Sequence, residues 1–184
     1  MDRLLRAAPL KGVPSFDIVP SGLRSARFIE PMLLLRTDKL PEGEGWLHEV
    51  KFDGYRALAI KTGGQVRLRS RNDKDFTKRY PGVVATLREL PDETVIDGEV
   101  VALDATGKPV FSLLQNGGAN VHYYVFDVLM LGGKDVTGEP LLKRRDLLEN
   151  HVLPKLPDPV RCSPVLEASL PDLIQSIRAQ ALRG

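Results

Sequence analysis

Two β-rich runs separated by Thr62-Gly63-Gly64-Gln65 constrain the fold of this 184-residue chain more than any other feature. Residues 55–61 (YRALAIK) and residues 66–71 (VRLRSR) flank the Gly-Gly pair, which is typical of a tight β-hairpin turn. In the second run every other residue is an arginine, and a period of two predicts that these side chains share one strand face. These arginines are Arg67, Arg69 and Arg71. The sequence therefore predicts an antiparallel hairpin with one basic face.

Further strand and helix patterns follow the hairpin in an order that favours an α+β fold. Residues 94–103 (TVIDGEVVAL) and 121–131 (VHYYVFDVLML) are typical of strands. One proline-led helical pattern begins at Pro81, another covers residues 141–150, and an apolar stripe predicts a third helix from Ser169. Because strands outnumber helices and hairpins outnumber β-helix-β crossovers, we expect largely antiparallel sheets flanked by helices.

Composition limits the class of protein. Hydrophobic residues make up 42% of the chain, as in a globular domain, and the single cysteine excludes a disulfide framework or a cysteine-clustered zinc site. The longest apolar runs, such as residues 32–35, are too short to span a bilayer, and the N-terminus lacks a secretory pattern. We therefore expect a cytoplasmic protein with no membrane partner. Residues 1–27 have little periodicity and predict a leader or linker, with the ordered domain over residues 28–184.

The net charge of +2 conceals two charged segments of opposite sign. Residues 49–88 contain ten Lys and Arg against four acids, a balance of +6. Residues 89–110 contain six acids and one lysine, a balance of −5. The basic segment suits a phosphate, a nucleotide or a nucleic acid, but a solvated hairpin face explains the same composition.

The segment 49–56 (EVKFDGYR) carries the chemistry. Lys51 lies between two carboxylates, Glu49 and Asp53, with a glycine and Arg56 after them. This pattern is either a lysine–aspartate pair leading into a turn or a nucleophilic lysine. An ε-amine attacks only as its free base, which at the ordinary lysine pKa of about 10.4 is roughly one molecule in a thousand near pH 7.4. Cationic neighbours favour the free base and hold an anion, so the natural electrophile is a phosphate.

At this segment the sequence resembles motif I (Lys-x-Asp-Gly) of the covalent nucleotidyltransferases: ATP-dependent DNA ligases, RNA ligases and mRNA-capping guanylyltransferases. Four more segments resemble that family in the correct order: residues 28–33 (FIEPML), 70–72 (SRN), 97–99 (DGE) and 124–129 (YVFDVL). Residues 129–148 are typical of DNA ligases rather than capping enzymes. The likeness is greatest to ligases of bacterial end-joining repair, and it implies their adenylation-domain fold.

The resemblance implies roles for six residues. Lys51 would attack the α-phosphorus of ATP to form lysyl-AMP. The nucleotide would be bound by Glu49 at the adenine edge, Arg56 and Arg71 at phosphate and ribose, Glu99 at the ribose, and Phe126 stacked on the base. Glu99 would also bind Mg²⁺ or Mn²⁺. AMP would then pass to a DNA 5′-phosphate, and a 3′-hydroxyl would displace it to seal the nick.

The same resemblance implies the partners and the compartment. We expect a monomer that acts on nicked or broken double-stranded DNA near the nucleoid, with end-joining repair proteins or fused repair modules. Without the resemblance, Phe126 suits the core, Glu99 an exposed bulge and Arg71 a solvated surface. Arg144 and Arg145 are expected to cover the surface of a helix.

The sequence departs from the family at its C-terminal end. The last two family motifs, a Glu-Gly strand and a Lys-x-Lys, have no match after residue 150, and neither does the OB-fold domain. We therefore expect the N-terminal part of an adenylation domain, natural or artificially truncated, that is weakly active or inactive alone. Two alternatives stay open: a non-catalytic nucleotide- or DNA-binding module of the same fold, and an RNA ligase or capping-type enzyme.

Overall fold

The computed structural model describes residues 5–9, 24–33, 41, 43, 46–116, 120–166 and 172. The helix predicted from Ser169 lies outside these residues except for Asp172, which is helical. Most of the predicted leader also lies outside them, so the boundary at residue 27 stays a prediction. No helix in the described part of the chain is long and apolar enough to cross a membrane.

Eight strands and three α-helices form within the described residues. The strands are β1 (Leu5–Pro9), β2 (Trp46–Val50), β3 (Tyr55–Thr62), β4 (Gln65–Ser70), β5 (Thr94–Ala102), β6 (Val121–Leu131), β7 (Lys134–Asp135) and β8 (Val160–Cys162). The helices are α1 (Pro81–Thr86), α2 (Phe111–Gln115) and α3 (Leu141–Leu147). Short 3₁₀ turns cover Leu87–Glu89 and Leu153–Lys155, and one π-helical turn covers Leu148–Val152.

The strands form two sheets. The six-stranded sheet has the order β4-β3-β5-β6-β7, with antiparallel neighbours, and β8 pairs with β6 in parallel. Strands β1 and β2 pair with each other as a separate antiparallel sheet. The predicted fold class of largely antiparallel sheets with a few helices is confirmed.

The predicted hairpin is confirmed as β3 and β4, with Thr62 opposite Gln65. Gly63 and Gly64 both have positive φ, +54° and +73°, which is the backbone that a type I′ turn requires of its two central residues. Its basic face is shorter than predicted. Arg67 and Arg69 alternate with buried residues, but β4 ends at Ser70, so Arg71 lies in the following turn.

Both faces of the six-stranded sheet are covered by apolar side chains. On one face, Ala57 and Ala59 of β3 belong to the main core. The same core holds the predicted apolar stripe from α1 through the following 3₁₀ turn to the residue after it: Val83, Val84, Leu87 and Leu90. On the other face, Leu58 and Ile60 pack in a smaller cluster with Ala26. Successive residues of β3 therefore point alternately into the two apolar clusters, and the sheet lies between them.

Candidate active site

Lys51 lies at the junction between the two sheets. It follows the last residue of β2 and precedes the turn that leads into β3. It lines a cavity of about 610 Å³, within the range of about 300–1,000 Å³ that is typical of small-molecule sites. Five of the six predicted site residues line this cavity: Lys51, Arg56, Arg71, Glu99 and Phe126. Residues that are up to 75 positions apart in sequence are thus brought together.

Gly54 presses the turn after Lys51 against β5. Its N–H donates a hydrogen bond of 3.2 Å to Oε1 of Glu99. A Cβ at this position would lie 2.2 Å from the carbonyl oxygen of Val100 and 3.0 Å from Cγ of Glu99. The motif therefore contains a glycine because no other residue allows this close approach.

Arg56 reaches the cavity as an oriented fork. Its Nε and Nη2 donate to both carboxylate oxygens of buried Asp97, at 3.1 and 2.6 Å, and Nη1 donates to the Met32 carbonyl at 2.7 Å. The guanidinium carbon lies 5.4 Å from the ring centroid of Phe126. Burial disfavours the charge most, but the hydrogen bond to Asp97 and the nearby negative charges of Asp97, Glu99 and Asp127 together outweigh it, so the pKa of Arg56 is raised. The cation is therefore pre-organised before any ligand binds.

Glu99 is the carboxylate of the cavity. It lies opposite Arg56 in the pairing of β3 with β5. Burial raises the pKa of Glu99 to about 7, although Lys51, the Gly54 N–H and Arg56 act in the opposite direction. Its negative charge is thus incompletely compensated by the protein, which is the electrostatic condition that a bound cation relieves.

The carboxylate of the cavity fits a divalent cation that takes most of its coordinating oxygens from bound phosphate and water. The described part of the chain contains no group of three or more His, Cys, Asp or Glu side chains that could hold a metal. Mg²⁺ commonly takes one or two carboxylates and completes its shell with phosphate oxygens and water. Glu99 supplies one carboxylate, while Asp97 is committed to Arg56.

Glu49 is the predicted site residue that does not line the cavity. Its side chain is buried and accepts a hydrogen bond from Arg145 Nη1. The predicted contact of Glu49 with the adenine edge stays a prediction, but its carboxylate is engaged by the protein itself.

The expectation that Arg144 and Arg145 cover a helix surface is wrong. Arg145 is 5% exposed, and besides Glu49 its guanidinium reaches Glu149 Oε1 at 2.8 Å. Arg144 binds both carboxylate oxygens of Asp127, at 2.8 and 2.9 Å. Spacing of i,i+4 signals the Arg145–Glu149 pair, but nothing in the sequence signals a partner 96 positions away.

The sequence patterns also did not predict an aromatic stack beside the nucleophile. Phe52 lines the cavity and stacks on Tyr124 of β6, with ring centroids 4.1 Å apart and planes 23° apart. Phe126, also on β6, is 6% exposed where it lines the cavity. Its predicted stacking on a base stays a prediction, and the core position expected without the resemblance is compatible with the same burial.

Comparisons with known proteins give a consistent result. A family model described as "ATP dependent DNA ligase domain" matches residues 31–183. The multifunctional non-homologous end joining protein LigD of Pseudomonas aeruginosa is 36% identical over 163 residues, which cover 85% of this chain and 19% of that protein. DNA ligase C1 of Mycolicibacterium smegmatis is 36% identical over 142 residues, 67% of this chain and 41% of that protein.

A solved structure has the same fold. It is described as mycobacterial DNA ligase D complexed with ATP and MES, and it superposes with a TM-score of 0.60 at 36% identity, covering 71% of this chain and 43% of that chain. The chain therefore spans less than half the length of these similar proteins.

Proposed function

Because this chain belongs to the ATP-dependent DNA ligase domain family, we propose that it carries the nucleotide-transfer site of a DNA ligase, with Lys51 as its nucleophile. The family membership confirms the resemblance predicted from the motifs. One observation carries the proposal: Lys51 lines a single cavity with Arg56 and Arg71, which can bind a phosphate and neutralise its charge, and with Glu99, which can hold a cation.

In the proposed first step, the neutral Nζ of Lys51 attacks the α-phosphorus of ATP. The nitrogen–phosphorus bond forms as the bond to the bridging oxygen of pyrophosphate breaks, and the amine releases a proton to solvent. Pyrophosphate leaves and AMP stays on Lys51 as a phosphoramide. Arg56 and Arg71, which line the same cavity, hold the anionic phosphate in reach of the amine.

The remaining contacts to the nucleotide are proposed from the resemblance to the family motifs. Of the lining residues, Phe126 would stack on the base, and Arg56 and Arg71 would bind phosphate and ribose. Glu49, which does not line the cavity, would lie at the adenine edge. Glu99 would contact the ribose or hold Mg²⁺ or Mn²⁺ together with phosphate oxygens. When bound, such an ion neutralises charge on the phosphates and on the leaving pyrophosphate.

For the whole protein we propose that AMP passes to the 5′-phosphate of nicked or broken DNA and that a 3′-hydroxyl then displaces it. Similarity to a multifunctional non-homologous end joining protein supports a role in end-joining repair, with fused or associated repair modules. We further propose that it acts as a monomer in the cytoplasm, near the nucleoid.

The proposal is tested by incubating the full-length protein, because the 184-residue chain alone is expected to be labelled weakly or not at all. It is incubated with α-labelled ATP and Mg²⁺, followed by denaturation, intact mass measurement and peptide mapping. We expect one AMP on Lys51, no adduct with Lys51→Ala, and an unchanged adduct with the control Lys134→Ala, which alters an exposed lysine of β7. Undiminished labelling of Lys51→Ala refutes the assignment. Wholly reversible ATP binding favours the non-catalytic module, and labelling by GTP in place of ATP favours the capping-type alternative.

A further inference from the structure

Within the residues that the structure describes, the strand that ends at the nucleophile is attached to the rest of the domain at a few points. β2 pairs with β1 in its own sheet and is not part of the six-stranded sheet that carries Arg56 and Glu99. Among the described residues, its backbone meets the chain after β8 through a bridge between Glu49 and Val165 and a 2.8 Å hydrogen bond from Leu166 N–H to the His48 carbonyl.

Arg145 adds a side-chain tie at the same place. Its guanidinium donates to Glu49 Oε1 and Glu149 Oε1, and to the Ser163 carbonyl at 3.1 Å. The side chains of Arg145 and Glu49 are 6% and 5% exposed. Because both charges are buried and bonded to each other, loss of either one removes a buried ionic partner of the other, which destabilises this contact.

This ion pair connects the nucleophile strand to the main sheet. Arg145 is on α3, and α3 packs against β6, the strand that carries Phe126. Glu49 is two residues before Lys51, about 7 Å along an extended chain. A shift of β2 relative to β6 therefore moves the lysine relative to the rest of the cavity.

We propose that Arg145 is a positioning residue for Lys51, which through Glu49 holds the strand that ends at the nucleophile in register with the nucleotide cavity. This inference rests on the proposed function, because the position of Lys51 affects a reaction rate only if Lys51 is the nucleophile. Arg145 itself does not line the cavity. In-line attack requires the reacting atoms to approach within about 3–3.5 Å, and a displacement of about 1 Å can lower the rate about a hundredfold.

The test compares Arg145→Met and Arg145→Lys with the control Arg144→Met. Arg144 is the neighbouring residue of the same helix and also makes a two-oxygen ion pair, but its partner is Asp127 of β6 rather than β2. Each variant is made in the full-length protein and assayed for its rate of lysyl-AMP formation across ATP concentrations. Hydrogen exchange is measured at the amides of β2 and of β5.

We expect Arg145→Met to lower the rate at saturating ATP by about tenfold to a hundredfold, with the KM for ATP changed less than about threefold. Arg145→Lys keeps the charge but loses the fork, and it should recover part of the rate. Exchange should rise about tenfold or more at β2 and not at β5. Arg144→Met should stay within about twofold of the original rate and leave β2 exchange unchanged.

A folded Arg145→Met with the rate and the β2 exchange of Arg144→Met overturns the proposal, and so does a raised KM with an unchanged saturating rate. If Arg145→Met does not fold, Arg145→Lys is judged by the same measures. If the unaltered full-length protein forms no lysyl-AMP, the proposed function fails, while exchange at β2 still decides whether Arg145 holds this strand.

Discussion

Gly54→Ala is the smallest change that tests how closely the nucleophile turn must approach β5. The added methyl group would lie 2.2 Å from the Val100 carbonyl oxygen, which is backbone of a central strand and has no rotamer by which to move away. Gly82 supplies a matched control, because a Cβ built there meets nothing within 4 Å.

The magnitude follows from this distance. An unstrained contact needs about 3.5 Å, so the turn must retreat by about 1 Å. The Gly54–Glu99 hydrogen bond, already 3.2 Å long, would then exceed bonding distance. Steric strain of about 1–3 kcal/mol and the lost hydrogen bond, about 1 kcal/mol, lower the free energy of unfolding by about 2–4 kcal/mol. Displacement of Lys51 by about 1 Å lowers lysyl-AMP formation about a hundredfold.

The assay pairs urea unfolding with the rate of AMP transfer from α-labelled ATP. In contrast to Gly54→Ala, Gly82→Ala should gain about 0.5–1 kcal/mol of stability, because alanine is preferred inside a helix, and should keep its rate. Wild-type stability and rate in Gly54→Ala would refute the reasoning, since the turn would then not depend on contact with Val100. Loss of stability without loss of rate would refute the link between the turn and Lys51.

Two further predictions concern titration. The pKa of Glu99 is about 7, above its ordinary 4.5, so the folded chain binds this proton more tightly than the unfolded chain. This stabilisation is complete below pH 4.5 and is lost as the pH rises to 7. Without nucleotide, the free energy of unfolding should therefore fall by about 3 kcal/mol over that window and less in Glu99→Gln, as measured by urea titrations. Burial raises the pKa of the Cys162 thiol to about 11, so alkylation by iodoacetamide at pH 8 should be about tenfold slower than in the unfolded chain. Equal alkylation rates would show that the thiol is not buried as described.

The elements that local sequence determines were predictable. The β3–β4 hairpin depends on Gly63 and Gly64, whose positive φ angles suit the turn whatever the rest of the chain does. The strands predicted from the apolar runs at 94–103 and 121–131 agree with the bounds of β5 and β6 to within one or two residues. Pro81 marked the start of α1, because proline fits the first turn of a helix.

Long-range placement was not predictable from these patterns. No periodicity in the sequence indicates that β8 pairs with β6 in parallel, or that β2 lies outside the main sheet. Arg145 looks like a surface residue because charged side chains in helices usually are exposed, and its burial depends on Glu49 across the fold. The five cavity residues were predictable only from their resemblance to family motifs, because spacing along the sequence does not show which distant residues meet in the fold.

The basic segment also changes meaning in three dimensions, because several of its cations are used by the fold. Lys61 donates to the carbonyls of Arg88 and Leu90, both at 2.7 Å. Arg69 forms an ion pair with Asp73 at 2.8 Å. These charges stabilise the hairpin and its surroundings, so a count of ten cations overstates the charge that is offered to a ligand.

The acidic segment lies beside the basic one because β5 pairs with β3. Their antiparallel register places Arg56 opposite Glu99, and Arg56 binds Asp97 within the same pair of strands. The two charged stretches therefore neutralise each other where they cross the sheet. The cavity is formed at this crossing, where Arg71 and Lys51 from the adjoining turns meet Glu99. A net charge near zero is thus compatible with a phosphate site, since attraction to the ligand depends on the local arrangement of a few oriented cations rather than on the total charge.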